Sequence, residues 1–456
     1  MKLNKGSERL GTEPILPLLF RLSIPSIIAM IIQATYNVVD SMFVGRLSTE
    51  ALSALSLAYP IQMALIAIAV GTGVGSSTFI SRQLGRGNRK KAENAAGSIL
   101  QITVFYGILF ALIGFFLSDK LIALFTGDPV LIEMGRDYIR IILIGSMALF
   151  IPMVGNNILR GEGNTFLPMI TMLIGSVINI ILDPFFIFGI GFFPRLEVAG
   201  AALATVLSRL ISGSFLIFIL FSNKNELKID IKKIHFKSSI LKPIYIVALP
   251  AIIMQLLASV MMAGINKFIL APVSATAIAV AGIYFRLQSF VFMPVFGLNQ
   301  GYMPIVGYNY GHQKPKRMKK TIKLAGLVAF AFTTIGFVVF QLFPVKLIMM
   351  FNQDPELIEM GSDALRKISL AFPVIGPSIL VGSTFQAFGR GMPSLILSIA
   401  RQLVFLLPLM YYLNTFAGLD SAWYALPISE AMGAILGFVW LFHYLKKSLG
   451  EMPSTG

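Results

Sequence analysis

Long stretches without a single charged residue restrict what this chain can fold into. Seven of them are uninterrupted: Ala51–Ser81, Asn94–Ser118, Ile141–Leu159, Gly163–Leu182, Pro243–Asn266, Leu324–Val345 and Ile368–Gly389. Each reaches or approaches the roughly 20 residues that a helix needs to cross the hydrocarbon of a bilayer. Backbone polar groups in hydrocarbon must be hydrogen-bonded within the segment itself, so these stretches predict membrane-spanning helices.

Five further apolar stretches contain only one or two charges, at 16–40, 198–221, 277–305, 392–416 and 422–445. Only 13% of the 456 residues are charged, against about 25% in a soluble domain, and the mean hydropathy is +0.80. The apolar stretches do not alternate with polar residues, which excludes transmembrane β-strands. The sequence therefore predicts an all-α integral membrane protein with twelve transmembrane helices.

The chain also repeats itself at half its length. Asp128–Gly135 and Asp354–Gly361 agree at seven of eight positions, at an offset of 226 residues. The same offset aligns Gly71 with Gly297 and Gly75 with Gly301. A repeat this long is typical of a transporter built from two equivalent halves. The repeated Asp-Pro motifs are expected in the external connections between spans 3 and 4 and between spans 9 and 10.

We predict two six-helix lobes, 1–222 and 243–456, joined by a cytoplasmic basic linker at 223–242. Because each lobe has an even number of spans, both enter the membrane in the same orientation. This predicts a pseudo-two-fold axis along the membrane normal. Pro25 and Pro250 match at an offset of 225 residues, so each lobe opens with a proline-containing helix.

The net charge of +16 is concentrated in the even-to-odd connections. These basic residues are Arg82, Arg86, Arg89, Lys90, Lys91, Lys224, Lys228, Lys232, Lys233, Lys237, Lys242, Lys314, Lys316, Arg317, Lys319, Lys320 and Lys323. The positive-inside rule then predicts a multi-pass protein of the cytoplasmic (inner) membrane with both termini in the cytoplasm. No groove-reading motif accompanies the charge, so no nucleic-acid partner is predicted.

Nothing in the sequence predicts an enzyme or a bound cofactor. Cysteine is absent, which excludes disulfides and thiolate metal sites. The three histidines are isolated, and no phosphate loop or nucleophile–base arrangement occurs. We expect small organic substrates, the lipid bilayer as surroundings, and a monomer.

Two carboxylates within predicted spans need an explanation, because a charge at the bilayer centre costs at least about 2.5 kcal/mol. Asp40 and Asp183 are both expected in the outer half of the first lobe, at a depth that Thr205 also reaches. Tyr36 and Asn179 each lie four residues before one of these carboxylates and so share its helix face. Such a group can share a proton or bind Na⁺ through carboxylate, amide and hydroxyl oxygens. The alternative is that Asp40 lies at the lipid–water interface and that Asp183 caps a helix end before Pro184.

The remaining intramembrane charges receive different interpretations. Arg401 and Glu430 fall near mid-membrane on consecutive spans and are predicted to form a structural ion pair. Arg209 and Arg286 have no partner that the sequence identifies, and snorkelling towards an interface is the default. Further polar residues in the spans are proposed to line a substrate cavity: Gln33, Asn156, Gln255, Tyr284, Arg286 and Gln300.

The chain resembles the multidrug and toxic compound extrusion (MATE) family over nearly its whole length. The resemblance rests on Leu159–Asn164 (Leu-Arg-Gly-Glu-Gly-Asn), Pro168, Asn179–Pro184, Val198–Thr205, Gln386–Gly389, Pro393, Arg401-Gln402, Pro408, Gly418–Trp423, Pro427 and Glu430. The resemblance implies a drug/cation antiporter with alternating access.

Within that family the chain resembles the DinF-like bacterial branch. This implies a cation-coupling site for H⁺ or Na⁺ at Asp40, Asn179, Asp183 and Thr205, with Tyr36 nearby. The NorM-like branch uses acids in spans 7 and 10, and Pro243–Asn266 and Ile368–Gly389 contain none. The alternative function is a lipid or lipid-linked oligosaccharide flippase of the same superfamily, which Arg286 and Arg401 keep open.

Overall fold

The computed structural model describes residues 6–191, 193–222, 225–229, 237–270 and 273–450, and within them every regular element is helical. The first half contains α1 (Arg9–Thr12), α2 (Ile15–Gly45), α3 (Thr49–Gly85), α4 (Arg89–Ala123), α5 (Pro129–Ile144), α6 (Ser146–Gly161), α7 (Phe166–Phe188) and α8 (Glu197–Leu220). The second half contains α9 (Ser238–Gly264), α10 (Ala275–Gly311), α11 (Pro315–Leu342), α12 (Pro344–Met349), α13 (Pro355–Ser369), α14 (Phe372–Ala387), α15 (Gly391–Ile399), α16 (Leu407–Ala417), α17 (Leu419–Ala422) and α18 (Ala425–Gly450). Two π-helical segments, Ile265–Leu270 and Ala400–Leu406, follow α9 and α15.

Ten helical segments of the described residues are long and apolar enough to cross a membrane. Two further pairs, α5 with α6 and α13 with α14, qualify together and are bent by 50° and 52°. Counting each bent pair once gives the twelve spans that the sequence predicts. The basic residues Lys224, Lys232 and Lys233 of the predicted linker lie outside the described residues.

The bent pairs refine the prediction for the repeated Asp-Pro motif. Asp128 and Asp354 are the last residues of the connections between spans 3 and 4 and between spans 9 and 10, where they act as N-caps of α5 and α13, and the rest of each motif is helical. Their carboxylates accept the backbone N–H of Val130 at 2.8 Å and of Leu357 at 3.1 Å. A capping oxygen followed by proline at the first helical position favours a helix start, so the motif begins the span.

Each bend coincides with a residue that has special backbone requirements. At Gly145, between α5 and α6, a Cβ atom would lie 2.5 Å from the methyl groups of Val206, so only glycine allows this close approach. In the second pair the break falls at residues 370–371, just before Pro373. Proline has no N–H to donate and its ring clashes with the preceding turn. The uncharged stretches of the sequence identified mainly the apolar second helix of each pair, α6 or α14.

The described chain forms two compact units that do not coincide with the predicted lobes. Unit 1 contains Met1–Arg9 and Ile28–Ile252, and unit 2 contains Leu10–Ile27 and Ile253–Gly456. The first half of α2 therefore belongs to unit 2, and the first half of α9 belongs to unit 1. Both divisions fall two residues after a proline, Pro25 or Pro250. The lobes counted by spans stay a prediction, while the compact units exchange these half-helices.

Two glycine pairs hold the exchanged half-helices. In unit 1, a Cβ atom at Gly71 would lie 2.8 Å from the carbonyl oxygen of Ala248, and one at Gly75 2.6 Å from that of Ile244. In unit 2, Gly297 and Gly301 pack in the same way against 22–27 of α2, with a Cβ atom at Gly297 only 2.8 Å from the backbone of Ile27. Small residues four apart let helix backbones approach closely. This contact explains why the repeat preserves these glycines.

Outside the spans, a polar cluster in unit 1 surrounds the end of α6. Glu162 is 3% exposed and accepts a hydrogen bond from Asn225 Nδ2 at 3.5 Å. Glu226 accepts the backbone N–H and the hydroxyl of Ser7, at 2.7 and 2.5 Å. Arg9 donates to the Gly163 carbonyl at 2.7 Å. Burial, and secondarily the charge of Glu226, raises the pKa of Glu162 well above its ordinary value.

Candidate functional site

Three helices of unit 1 bring the predicted acidic site together. Asn179 and Asp183 lie one turn apart on α7, and the Asn179 amide donates to Asp183 Oδ1 at 3.2 Å. The same amide lies 3.4 Å from Thr205 Oγ1 on α8. Asp40, on α2, is close enough to Asp183 to act on it electrostatically. The spacing of four residues on α7 thus predicted the contact correctly.

The interpretation of Asp183 as a helix-end cap is wrong. The helix α7 continues through Pro184 to Phe188, and Asp183 is fully buried. Asn179 and Thr205 are buried beside it, while Asp40 is half-buried within α2, five residues before the helix ends. The polar group therefore lies inside the helix bundle of unit 1.

Three oxygens of this group are buried without a hydrogen-bond partner: Asp40 Oδ1, Asn179 Oδ1 and Asp183 Oδ2. Buried polar atoms are nearly always paired, so unpaired acceptors at one site point to a ligand. The donor set of two carboxylates, an amide oxygen and a hydroxyl contains only oxygen, which suits a proton or a hard cation such as Na⁺. Within the residues the structure describes, no cluster of three or more His, Cys, Asp or Glu side chains offers a conventional metal site.

Arg209 joins the group although the sequence identified no partner for it. Its guanidinium donates to the Tyr36 hydroxyl at 3.4 Å and acts electrostatically on Asp40. Arg209 follows Thr205 by one turn of α8, and Tyr36 precedes Asp40 by one turn of α2. The spacing of four residues between Thr205 and Arg209 was the signal that could have found this residue.

Two further residues of the site were missed entirely. Gln62 of α3 donates to the Tyr138 hydroxyl of α5 at 2.9 Å, and Tyr138 is 4% exposed and within electrostatic range of Asp40. Tyr138 precedes the uncharged stretch at Ile141–Leu159 and so escaped attention as part of a connection. The bent span α5–α6 places it among the intramembrane polar groups.

The proposed cavity-lining residues are distributed over both units. Asn156 of unit 1 is 4% exposed and its Oδ1 has no partner. Gln33, Gln255 and Arg286 are exposed and Gln300 is half-buried. Tyr284 lies in the hydrophobic core of unit 2 at 1% exposure, so its side chain lines no open surface here. The roles of this set stay predictions.

The charged pair of unit 2 has the geometry that the sequence predicts. Arg401 Nη1 lies 3.1 Å from Glu430 Oε2, and the stem of Arg401 lies along Gly433, where a Cβ atom would approach its Cγ to 3.1 Å. Arg401 is in the π-helical segment Ala400–Leu406. The guanidinium pairs with one carboxylate at 22% and 13% side-chain exposure, with its Nε unpaired, which is the arrangement of a largely buried structural ion pair.

The tenth span requires one correction. Because it begins with α13, it contains carboxylates that the uncharged stretch Ile368–Gly389 excludes, among them Asp363. Lys367 forms ion pairs with Asp363, at 2.5 Å, and with Asp420. The side chains of Asp363 and Asp420 are 45% and 76% exposed. These acids are paired at an exposed surface and do not form a buried acidic site like that of unit 1.

Comparison with known proteins agrees with this architecture. The MatE family model matches twice, over residues 25–185 and 250–412, and so begins each time at the proline where the half-helices are exchanged. A FAD transporter of Shewanella oneidensis is 30% identical over 94% of this chain and 95% of its own length. Multidrug export protein MepA of Staphylococcus haemolyticus is 30% identical over 91% of this chain and 90% of its own.

A solved structure described as the outward-facing conformation of a multidrug resistance MATE family transporter superposes with a TM-score of 0.92. It is 29% identical and covers 99% of this chain and 100% of the solved one. Solved MATE structures have twelve helices in two lobes, so the predicted all-α membrane fold is confirmed. The family model and both relatives extend over most of the chain, which therefore belongs to the MATE family of membrane transporters.

Proposed function

We propose that this protein is a multidrug efflux transporter that exports organic, mostly cationic compounds in exchange for H⁺ or Na⁺. The observation that supports this most directly is the set of three unpaired, buried oxygens on Asp40, Asn179 and Asp183. Two intramembrane carboxylates beside a single guanidinium keep an uncompensated negative charge, which costs free energy that binding of a cation recovers. Both a coupling ion and a cationic drug can supply that charge.

Competition between these two cations provides the coupling. Only a ligand with different affinities for two conformations can shift the equilibrium between them. In the outward-facing state, H⁺ or Na⁺ binds at Asp40 and Asp183 and weakens the binding of the drug, which leaves. The ion-loaded protein then turns inward and releases the ion. The half of α2 beyond Pro25 holds Asp40, so bending at this proline links the site to the conformational change.

The acids of unit 1 are the coupling groups of this proposal, as in the DinF-like branch of the family. Neither α9 nor α14 contains a carboxylate, and the acids of α13 are paired or lie at its exposed end. We further propose a monomer in the cytoplasmic (inner) membrane with both termini in the cytoplasm. It acts without a cofactor, nucleic-acid partner or chemical catalysis, and the basic residues between spans support this orientation.

Export of FAD or another anionic dinucleotide is the second function that a specific observation favours. The Shewanella relative named as a FAD transporter is as similar to this chain as the staphylococcal multidrug exporter, at 30% identity. Arg209, beside the acids, provides a positive charge for a phosphate. The lipid flippase is not favoured, since both relatives are named as transporters of other substrates.

The test is transport by the purified protein in proteoliposomes with a proton gradient and a Na⁺ gradient imposed separately. Ethidium and FAD serve as the two substrates. We expect ethidium to be driven by one of the gradients, and Asp40→Asn and Asp183→Asn to abolish that transport. Asp119→Asn, a change of an exposed carboxylate 3.7 Å from Arg136, is the matched control and should transport like the wild type. Wild-type rates in both acid variants would disprove the coupling assignment, and FAD transport alone would favour the second function.

A further inference from the structure

Arg209 is the charged residue of the site that the coupling scheme above leaves unused. It lies within the membrane-spanning helix α8, one turn beyond Thr205. Its guanidinium donates to the Tyr36 hydroxyl and acts electrostatically on Asp40 and Tyr138, so it is directed at the polar site and not at a membrane surface. Snorkelling, the default interpretation of this residue, therefore does not describe its position.

The charges of the site form a small set. In the part of the chain that the structure describes, Arg209 is the charged group that acts on Asp40, and Asp40 is the one that acts on Asp183. The other polar groups facing them are neutral: Tyr36 on α2, Gln62 on α3, Tyr138 on α5, Asn179 on α7 and Thr205 on α8.

The charge balance of this set limits how many ions it binds. Arginine stays protonated under all physiological conditions, so its charge is permanent. Two ionised carboxylates and one guanidinium leave a net charge of −1. A single monovalent cation then neutralises the site, and a second would leave an uncompensated positive charge in the membrane interior.

We propose that Arg209 sets the coupling number of the transporter at one monovalent cation per cycle. It is a positioning residue that acts as the permanent counter-ion of Asp40. The exchangeable position is thereby confined to Asp183, with Asn179 and Thr205. Two observations agree with this division. Asp183 accepts from Asn179, whose amide also lies beside Thr205, whereas Asp40 is acted on electrostatically by Arg209, which donates to Tyr36 one turn before Asp40 on α2. The inference rests on the proposed ion-coupled export.

The coupling number is measured from the ethidium ratio at which net flux stops. A tenfold ion gradient supplies about 1.4 kcal/mol per ion. With the membrane potential clamped at zero, exchange of one ion sustains about a tenfold ethidium ratio, and exchange of two about a hundredfold ratio. We expect about tenfold for the wild type and for Arg209→Lys, and about a hundredfold for Arg209→Gln.

An independent measurement uses the membrane potential. Exchange of one H⁺ or Na⁺ for one ethidium cation moves no net charge, so the wild-type ratio should not respond to a valinomycin-imposed potential. Arg209→Gln should make the exchange electrogenic. A tenfold ratio that is insensitive to potential in a transporting Arg209→Gln variant would overturn the proposal.

A charge-rescue pair keeps the test decisive if Arg209→Gln does not insert into the membrane. Asp40→Asn alone leaves Arg209 to neutralise Asp183, so coupled transport should be lost. Adding Arg209→Gln restores the net charge of −1, and one-for-one exchange should return. Failure of this rescue in a folded double variant would overturn the proposal. A wild-type protein without ion-driven ethidium flux would instead disprove the proposed function itself.

Discussion

The two units of this protein share an architecture but treat their intramembrane charges in opposite ways. Each unit receives half of a helix from the other half of the chain, at Pro25 or Pro250, and holds it against a glycine pair. In unit 2 the charges of Arg401 and Glu430 are matched at 3.1 Å. In unit 1 the buried oxygens of Asp40 and Asp183 have no partner.

Whether an intramembrane charge has a partner distinguishes a structural pair from a binding site better than the presence of the charge does. The charges of a matched pair neutralise each other, and exchanging such a pair for apolar residues is often neutral. The unpaired acceptors of unit 1 are instead the groups to which the proposed exchangeable cation would bind. The two units therefore differ in how their intramembrane carboxylates are paired, and this difference is the basis for proposing the ion site in unit 1.

The largest effect is expected from breaking the matched pair. Arg401→Met leaves the Glu430 carboxylate buried without its counter-ion and should destabilise the protein by about 3 kcal/mol. The double variant Arg401→Met/Glu430→Met removes both charges and should recover most of that loss. Thermal unfolding of the detergent-solubilised protein measures the free-energy change. If the double variant also keeps ion-driven ethidium transport, the pair is structural. Loss of coupled transport in a stable double variant would mean that unit 2 also contributes to ion coupling.

A smaller effect is expected at the glycine pairs. Substitutions there test whether the two units hold their exchanged half-helices with similar stability. Gly71→Ala and Gly297→Ala each place a methyl group within 2.8 Å of backbone atoms and should each cost about 1–3 kcal/mol. Gly326→Ala is the matched control, since no atom lies within 4 Å of its added methyl group. The control should be neutral or slightly stabilising, because alanine favours the helix.

The melting temperatures of these three variants show whether the two half-helices are packed equally tightly. Similar losses at Gly71 and Gly297 mean that both half-helices are held with equal strength. A loss at only one of them would show that the exchanged segments differ in mobility. Equal stability of all three variants would contradict the close backbone contacts.

The smallest effect is expected at Glu162, a buried acid whose equivalent position in the second half of the chain holds an aromatic residue. Glu162 aligns with Phe388 at the repeat offset of 226 residues, and Phe388 stacks on Tyr310 with ring centroids 4.7 Å apart. Burial raises the pKa of Glu162 in the folded state. The unfolded chain therefore releases this proton at a lower pH than the folded one, and stability falls as the pH rises from about 4.3, the ordinary glutamate pKa, towards the raised value.

Glu162→Gln removes this titration. We expect no stability difference from the wild type near pH 4 and a melting temperature about 2 °C higher at pH 8. Glu133→Gln, at an exposed carboxylate, should show no such pH dependence. A Glu162→Gln variant that is less stable at pH 8 would mean that the ionised carboxylate is needed by its neighbours.

The spans and the core of the site could be read from the sequence because their signals are local. Uncharged length predicts a span, and the spacing of Asn179 from Asp183 places two side chains on one face. The first arms of the bent spans were missed because charged residues within them, such as Arg136 and Asp363, lower the hydropathy. The positions of Tyr138 and Arg209 depend on how α2, α5 and α8 pack, and no local pattern encodes that packing.

The exchange of half-helices also has a consequence for how the protein is made. Unit 1 contains residues up to Ile252, so it lacks a packed element until the start of α9 has left the ribosome and entered the membrane. Domains generally fold as units and in the order of synthesis. Here each compact unit includes a helical segment from the other half of the chain, so neither half contains a complete unit. We expect residues 1–222 produced alone to be degraded, and the two halves produced together as separate chains to assemble into a stable transporter.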